Sequence, residues 1–405
     1  MVLLANIIDT EDKKCSDSFI FDAMLFSNVI GQDFIKNHLT TSVDAGRIAH
    51  AQLFIGLSGT GVLPMAIAYA QYILCNNAQG ENEGGSQACN LKFEHLSHPD
   101  LHFAFPVATT PEVKSHPVSN NFMREWRSFI TENPYGDLFE WHQHLGIEKK
   151  QGQIGVDEAS EINKALALKS YEGGYKVMII WAVDKMNTAG SNKLLKLLEE
   201  PPAKTLFILI SENEDSIIDT IKSRCQVLHF PRLSEPQIAD ALITHHKTPD
   251  AEAHKIAHQA QGDYQQAMHL LHHDGDDIQF EKWFVTWVRT AFQAKGKKEA
   301  VLGLMEWSEI IAKSGRETQK NFLAYCVQFF RQALLKNYKA NDLVFMETET
   351  GFDLSKFAPF VHNNNIFPIV EAIQEASYHI ERNGNAKIIM TDLSIKLTRF
   401  LHRKS

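Results

Sequence analysis

The chain has 405 residues, of which 44% are hydrophobic and 22% charged, and its formal net charge is −9. This length accommodates two or three domains, each with its own core, and the composition is typical of a soluble globular protein. The negative charge excludes a protein that coats nucleic acid by charge alone, because basic residues are needed to neutralise phosphates.

The lack of recognisable targeting signals and the pattern of cysteines predict a cytoplasmic protein without membrane contact. No stretch approaches the roughly 18 uncharged apolar residues of a membrane span, and acidic residues stand where a signal peptide would need its cleavage site, in MVLLANIIDTEDKKC. The five cysteines, at 15, 75, 89, 225 and 326, are odd in number and scattered. We therefore expect reduced thiols rather than a disulfide framework.

Residues 1–26 show no clear period and are predicted to be an N-terminal extension. Helical and strand patterns then alternate along the chain. In order, they predict a helix at 34–43, a strand at Ala51–Ile55, a helix at Val156–Ser170, a strand at Lys176–Val183, a helix at Ser191–Glu200 and a strand at Leu206–Ser211. This alternation predicts an α/β domain over 27–231, with a parallel sheet covered on both faces by helices.

The rest of the chain lacks this alternation. Within 76–135, the polar stretches NNAQGENEGGSQ and VATTPEVKSHPVSNN have little period and are predicted to be insertions at the edge of the sheet. After Phe230-Pro231, three short helical segments predict a small helical domain over 232–275. Long amphipathic helices over 278–405 predict an all-helical domain, whose aromatic residues recur at helical spacing and are expected in its core.

A glycine-rich turn after the first predicted strand fits the backbone of a phosphate loop. In GLSGTGVL, Gly56 and Gly61 take the first and last glycine positions of the G-x-x-x-x-G-K-[ST] pattern, with Gly59 between them. That pattern needs a lysine for the phosphates and a hydroxyl for magnesium, but Val62 and Leu63 stand at these positions. An ordinary glycine-rich turn is the alternative interpretation.

The acids that P-loop ATPases use to hold magnesium are missing as well. The predicted strand runs into Trp181 and Ala182, and the surviving Asp184 fits a cap or turn better than a magnesium ligand. Without lysine, hydroxyl and acids, phosphoryl transfer loses most of its electrostatic stabilisation, so we expect no ATPase activity from this chain. We expect no bound cofactor, although the loop amides alone leave nucleotide binding without hydrolysis open.

Three further stretches resemble one family: SHPDLHFAFP at 97–106, NKLLKLLEEPPAKTLFILI at 192–210 and IIDTIKSRCQVLHFPRLS at 217–234. They are similar to motifs of the small clamp-loader subunits of bacterial DNA polymerase III. The missing lysine, together with a retained Ser-Arg-Cys, resembles the delta-prime subunits in particular. The resemblance covers residues 27–275, and the C-terminal helices match only in general character.

The resemblance implies an AAA+ P-loop domain, a helical lid at 232–275 and a collar at 278–405 for ring assembly. It implies partners as well: gamma/tau-like ATPase subunits and a delta-like subunit in a hetero-oligomeric ring, which opens a sliding clamp and places it on primed DNA. Delta-prime is a non-hydrolysing member of that ring.

The same resemblance gives a role to Arg224, flanked by Ser223 and Cys225. It implies an arginine finger that reaches into the ATP site of a neighbouring subunit. From position alone, the alternative is an arginine at the end of a helix over Ser216–Arg224, bound to the last carbonyls. Cys225 is expected to be a buried, small apolar residue.

Relatives commonly hold zinc with four cysteines, and this sequence departs from that pattern. Cys75 and Cys89 remain, but Lys92 and His95 stand at the next two positions. Cys75, Cys89, His95 and His98 would be compatible with zinc by ligand type, whereas lysine is not a usual ligand. We expect that the zinc site has been lost.

Two alternatives to a delta-prime-like subunit remain. One is a gamma/tau-like AAA+ ATPase of the same complex with an aberrant phosphate loop. The other is an AAA+ adaptor outside replication that reuses the fold. ATP turnover by the isolated chain would favour the first, and failure to bind clamp-loader subunits would favour the second.

Overall fold

The computed structural model describes residues 25–403 apart from 76–86, 148–149, 151, 172–173, 272–275, 341–342, 345–347 and 349. Nearly all of the predicted extension, residues 1–26, and the first polar stretch of the 76–135 segment lie outside the described residues. The chain divides into two compact units, Met1–Met268 and His269–Ser405.

A five-stranded parallel sheet lies at the centre of the first unit. Its strands are β1 (Ala51–Ile55), β2 (Leu101–Ala104), β3 (Lys176–Ile180), β4 (Thr205–Ser211) and β5 (Gln226–His229), in the spatial order β2-β3-β4-β1-β5. All four ladders are parallel. Neighbouring strands are therefore joined by crossovers rather than by hairpins.

Helices cover both faces of this sheet. They are α1 (Asp33–Asp44), α2 (Val62–Cys75), α3 (Gln87–Glu94), α4 (Met123–Glu132), α5 (Leu138–His144), α6 (Val156–Ala167), α7 (Thr188–Glu199) and α8 (Asp219–Lys222). One apolar cluster packs α2, α4 and α5 on one face, and a second packs α6 and α7 on the other. Alternate residues of β4 belong to the two clusters, and the strand is buried throughout, as a doubly covered sheet requires.

The predicted α/β fold is confirmed, and two strands were missed. The sequence predicts β1, β3 and β4, whereas β2 and β5 are the short strands at the two edges of the sheet. The segment 76–135 also supplies α3, β2 and α4, none of which was assigned from the sequence. The stretch at 107–121 does lack regular helix and strand apart from one short 3-10 turn, as predicted.

Three short helices follow β5, as predicted. They are α9 (Glu235–His246), α10 (Asp250–Ala260) and α11 (Tyr264–Leu271). A capping box begins α9: the Gln237 side chain accepts from the Ser234 N–H at 2.9 Å, and the Ser234 hydroxyl accepts from the Gln237 N–H at 3.4 Å.

The regular elements of the second unit are helical, as predicted. Its helices are α12 (Asp276–Ala294), α13 (Lys298–Lys313), α14 (Arg316–Asn337), α15 (Leu354–Phe357), α16 (Asn363–Glu381) and α17 (Ala386–Leu401). Aromatic rings fill its core: Trp287 stacks on Trp307 with ring centroids 5.1 Å apart, and the Trp287 indole donates to the Ser394 hydroxyl at 2.8 Å. Among the helices of the described residues, none is long and apolar enough to cross a membrane.

Candidate functional site

The glycine-rich turn joins the carboxyl end of β1 to the first residue of α2. Gly59 and Gly61 have φ angles of +72° and +88°, which side-chain-bearing residues rarely adopt. A Cβ atom on Gly56 would lie 2.7 Å from the Val62 side chain and 2.8 Å from Cβ of Phe230. The turn therefore depends on its glycines, as a phosphate loop does.

The two residues after the last glycine face the core. Val62 and Leu63 are 6% and 5% exposed and belong to the apolar cluster that contains α2. Their side chains carry no charge and no metal-binding oxygen. The strand-turn-helix backbone is thus present without the lysine and hydroxyl that would act on ATP and magnesium.

A carboxylate lies directly against the glycine-rich turn. A Cβ atom on Gly59 would clash with Oδ1 of Asp263, the residue that precedes α11. The Gly59 carbonyl accepts from the Tyr264 N–H at 3.0 Å, and Oδ1 of Asp263 accepts from the Gln266 N–H at 3.0 Å as a helix cap.

Two tyrosines strengthen the contact between the turn and α11. The Tyr135 ring meets the Tyr264 ring edge-on, with centroids 4.9 Å apart, and the Tyr135 hydroxyl accepts from the Ile30 N–H at 2.9 Å. Burial raises the pKa of both phenols above their usual range, so both stay neutral. Neither Asp263 nor Tyr264 was predicted from the sequence, although Gly262-Asp263 signals a helix start.

The end of β3 is apolar where an ATPase would place acids. Trp181 is buried and packs on Trp126, with ring centroids 5.2 Å apart. Asp184 accepts from the Ser211 hydroxyl at 3.0 Å and pairs with Lys185 Nζ at 2.8 Å. The bond to Ser211 joins the end of β4 to the turn after β3, which is the structural role expected of a turn residue.

Arg224 lies just beyond α8 and binds three acceptors of its own chain, one of which is the Ser223 hydroxyl, 3.4 Å from Nη1. Its Nη1 donates to the Thr220 carbonyl at 2.8 Å, and its Nη2 donates to Oε1 of Glu199 at 2.6 Å. The helix is shorter than the predicted Ser216–Arg224, since α8 covers only Asp219–Lys222. The carbonyl contact is the one that the helix-end interpretation predicts.

The strand register separates Arg224 from the glycine-rich turn. Gln52 pairs with Gln226 and Ile55 pairs with His229, so β1 and β5 run side by side in one direction. Arg224 precedes the amino end of β5, whereas the turn follows the carboxyl end of β1. A parallel strand rises about 3.3 Å per residue, which puts about 13 Å of strand between them, more than an arginine side chain can span. Arg224 therefore does not serve the turn of its own chain.

The residues beside Arg224 support the local turn. The Ser223 hydroxyl donates to the Thr220 carbonyl at 3.2 Å. Cys225 packs against the apolar cluster of α6 and α7, and burial raises the pKa of its thiol to about 11. The thiol is protonated at neutral pH and acts as a small apolar group, but Cys225 is half-buried rather than buried as predicted.

Cys75 and Cys89 form a disulfide, so the expectation of reduced thiols is wrong for this pair. Cys75 ends α2 and Cys89 lies in α3, and packing of the two helices brings their Cα atoms to 5.7 Å. That distance allows a bridge. Of the cysteines in the described part of the chain, Cys225 and Cys326 are free thiols.

The four side chains compatible with zinc do not come together. The sulfurs of Cys75 and Cys89 are bonded to each other, His95 is exposed, and buried His98 accepts from the Asp100 N–H at 3.2 Å. Among the described residues, no three histidine, cysteine, aspartate or glutamate side chains are grouped so as to hold a metal ion.

A protein-family match falls within the first unit. The family described as DNA polymerase III, delta subunit, matches residues 31–234. The DNA polymerase III subunit delta' of Bacillus subtilis is 31% identical over 223 residues, 54% of this chain and 53% of that protein. The subunit delta' of Haemophilus influenzae is 30% identical over 194 residues, 48% of this chain and 46% of that protein.

A more distant relative carries another subunit name. The DNA polymerase III subunit gamma/tau of Mycobacterium tuberculosis H37Rv is 27% identical over 219 residues, 54% of this chain and 30% of that protein. The chain spans about half the length of the delta' relatives that it matches. Because the family match covers just over half of the chain and the motifs resemble delta-prime, the chain belongs to the delta-prime-like DNA polymerase III delta subunit family.

Proposed function

We propose that this chain is a non-hydrolysing, delta-prime-like subunit of the clamp loader of DNA polymerase III, acting in the cytoplasm. In this proposal it assembles with gamma/tau-like ATPase subunits and a delta-like subunit and helps to load a sliding clamp on primed DNA. It also supplies Arg224 as an arginine finger to the ATP site of a neighbouring subunit.

One observation carries the proposal: Arg224 lies at the amino end of the sheet, away from the glycine-rich turn at its carboxyl end. An arginine in this place can act on a nucleotide only if another subunit provides it. A guanidinium supplied in trans stabilises the charge on the transferring phosphoryl group, which is worth about 10³- to 10⁵-fold in rate. That factor corresponds to about 4–7 kcal/mol of barrier.

The chain's own turn supports the non-hydrolysing part of the proposal. Val62 and Leu63 are buried apolar residues, and the Asp263 carboxylate lies against Gly59. The first feature removes the groups that act on phosphate and magnesium, and the second fills the space beside Gly59 with a side chain. We therefore propose that the chain holds no nucleotide and, because Cys75 and Cys89 are bonded to each other, no structural zinc.

Purified chain provides the first test. We expect no ATP turnover above a blank, no saturable binding of a fluorescent ATP analogue, and no zinc by elemental analysis. Size-exclusion chromatography with gamma/tau-like and delta-like subunits should give one stable complex.

Each of the alternatives predicts a different result. Turnover by the isolated chain that disappears in a Gly61→Val variant would establish the gamma/tau-like ATPase instead. Failure to enter the complex would point to an adaptor outside replication. Retention of stoichiometric zinc would contradict the proposed loss of the metal site.

A further inference from the structure

Glu199 is the acidic partner of Arg224 in this chain. Its Oε1 accepts from Nη2 of Arg224 at 2.6 Å, and the two side chains are 48% and 34% exposed. On the proposed function above, we infer that Glu199 positions Arg224 for its action on the neighbouring subunit. Glu199 is thus a positioning residue rather than a catalytic one.

The backbone beneath Glu199 is well anchored. Leu194 and Leu198 of α7 are fully buried, and His50 Nε2 lies 3.2 Å from the Leu198 carbonyl oxygen. Pro201-Pro202 follows and ends the helix. The backbone that carries the Glu199 side chain is therefore fixed in position at the end of α7.

The guanidinium of Arg224 is held at two of its nitrogens. Nη1 donates to the Thr220 carbonyl, and Nη2 donates to Glu199. A guanidinium is planar and carries five N–H donors in a fixed fork, so two bonds from different nitrogens set its orientation. One of these acceptors, Glu199, belongs to α7 and the other, Thr220, belongs to α8.

The bond between Glu199 and Arg224 is compatible with action of Arg224 on a neighbouring subunit. A charge-assisted bond on one edge of the guanidinium leaves the positive charge in place, and a second anion can bind along another edge. Immobilising a long side chain costs conformational entropy. If Glu199 already orders Arg224 before assembly, the active complex does not bear this cost. Loss of Glu199 should therefore reduce turnover without preventing assembly.

The chain offers a matched control beside this residue. Glu200 is also exposed and acidic, and its backbone N–H donates to the Lys196 carbonyl at the end of α7. The Glu200→Gln change removes the same charge one residue away, without touching the acceptor of Arg224. A difference between the two variants therefore reports the bond to Arg224 and not the local charge.

The test is a double-mutant cycle in the reconstituted complex. Steady-state kcat and KM for ATP are measured with wild type, Glu199→Gln, Glu200→Gln, Arg224→Ala and the double variant Glu199→Gln/Arg224→Ala. We expect Glu199→Gln to lower kcat about 3- to 10-fold with an unchanged KM, as ordering one side chain implies. Glu200→Gln should match wild type. Arg224→Ala should cost more than Glu199→Gln, and the double variant should equal Arg224→Ala.

The outcomes separate this inference from the proposed function. A normal kcat for Glu199→Gln beside a low kcat for Arg224→Ala would overturn the positioning role and leave the finger intact. A raised kcat for Glu199→Gln would mean that Glu199 holds Arg224 back from the neighbouring site. That result would also overturn the positioning role of Glu199. A double variant slower than Arg224→Ala would assign Glu199 a structural role. A normal kcat for Arg224→Ala would instead overturn the proposed function itself.

Discussion

Burial raises the pKa of one carboxyl group, that of Glu158 in the first turn of α6. Its side chain is 3% exposed and accepts from the Ser119 N–H at 2.6 Å. Burial raises its pKa to about 7, and the bonds from Ser119 offset only part of that effect. Because the folded pKa exceeds the ordinary value of 4.5, protonation favours the folded state.

Glu158 should therefore make stability depend on pH. Its contribution is fully present below about pH 4.5 and is lost as the pH rises through about 7. Between pH 6 and pH 8 the free energy of unfolding should fall by about 1 kcal/mol from this group alone. Glu158→Gln keeps an acceptor for Ser119 and should remove this fall, as measured by urea denaturation at both pH values.

The comparison must isolate Glu158 from other titrating groups. His142 has its pKa lowered to about 4 by burial, so its contribution is present above about pH 6.5 and is lost as the pH falls. It is common to wild type and variant and cancels in their difference. Glu112→Gln, in an exposed loop, should leave the wild-type dependence intact. Equal pH dependence in wild type and Glu158→Gln would contradict the assignment.

The residues of the candidate site were predictable to different degrees. Arg224 and the glycine-rich turn are recognisable because each belongs to a short local pattern. Glu199 and Asp263 are not, because they contact residues 25 and about 200 positions away, and no local spacing reports such contacts. The tertiary fold alone brings each acid to its partner.

At the level of elements, the docking of α11 against the glycine-rich turn depends on Gly59. Gly59→Ala should destabilise the first unit, because a methyl group there would clash with Asp263 and force α11 away. Gly46 is a matched control, since it also has a positive φ but has nothing within 4 Å of the place that a methyl group would take. Gly59→Ala should cost about 1–3 kcal/mol more than Gly46→Ala in urea denaturation.

A second variant identifies the cause of that loss. Adding Asp263→Ala to Gly59→Ala removes the clashing carboxylate and should recover part of the stability. Equal costs for Gly59→Ala and Gly46→Ala would contradict the close contact. No recovery in the double variant would assign the loss to the backbone of the turn.

The disulfide between α2 and α3 gives another prediction at this scale. Under denaturing, non-reducing conditions, Cys75 and Cys89 should resist iodoacetamide, whereas Cys225 and Cys326 should react. Cleaving a bridge across 14 residues should lower the free energy of unfolding by about 3 kcal/mol. Mass spectrometry of the alkylated peptides and urea denaturation with and without reductant check both statements. Full alkylation of Cys75 without reductant would contradict the bridge.

The strands found by sequence differ physically from those that were missed. β1, β3 and β4 lie in the interior of the sheet, are buried throughout and are mostly apolar. β5 is a four-residue edge strand with exposed ends, and β2 is an equally short edge strand that includes His102. Short edge strands carry little hydrophobic signal, so periodicity does not separate them from loops.

For the molecule as a whole, the family match and the structure agree on where the motifs lie. Residues 31–234 fall within the first compact unit, which contains the sheet, the glycine-rich turn and Arg224. The second unit has its own aromatic core, and its helical content was predictable from amphipathic spacing. The packing of its helices was not, because spacing fixes which face is buried but not the neighbour that covers it.

The most direct test of the central claim is the ATPase rate of the reconstituted clamp loader with wild-type chain or Arg224→Ala. Arg232→Ala, which removes an exposed arginine bonded to the Gln261 carbonyl, is the control for lost charge. We expect the Arg224→Ala chain to assemble normally. At the neighbouring ATP site that Arg224 serves, the turnover rate should fall about 10³-fold or more. A rate equal to that of wild type, in a complex of the same composition, would contradict the role of Arg224 as a finger in trans.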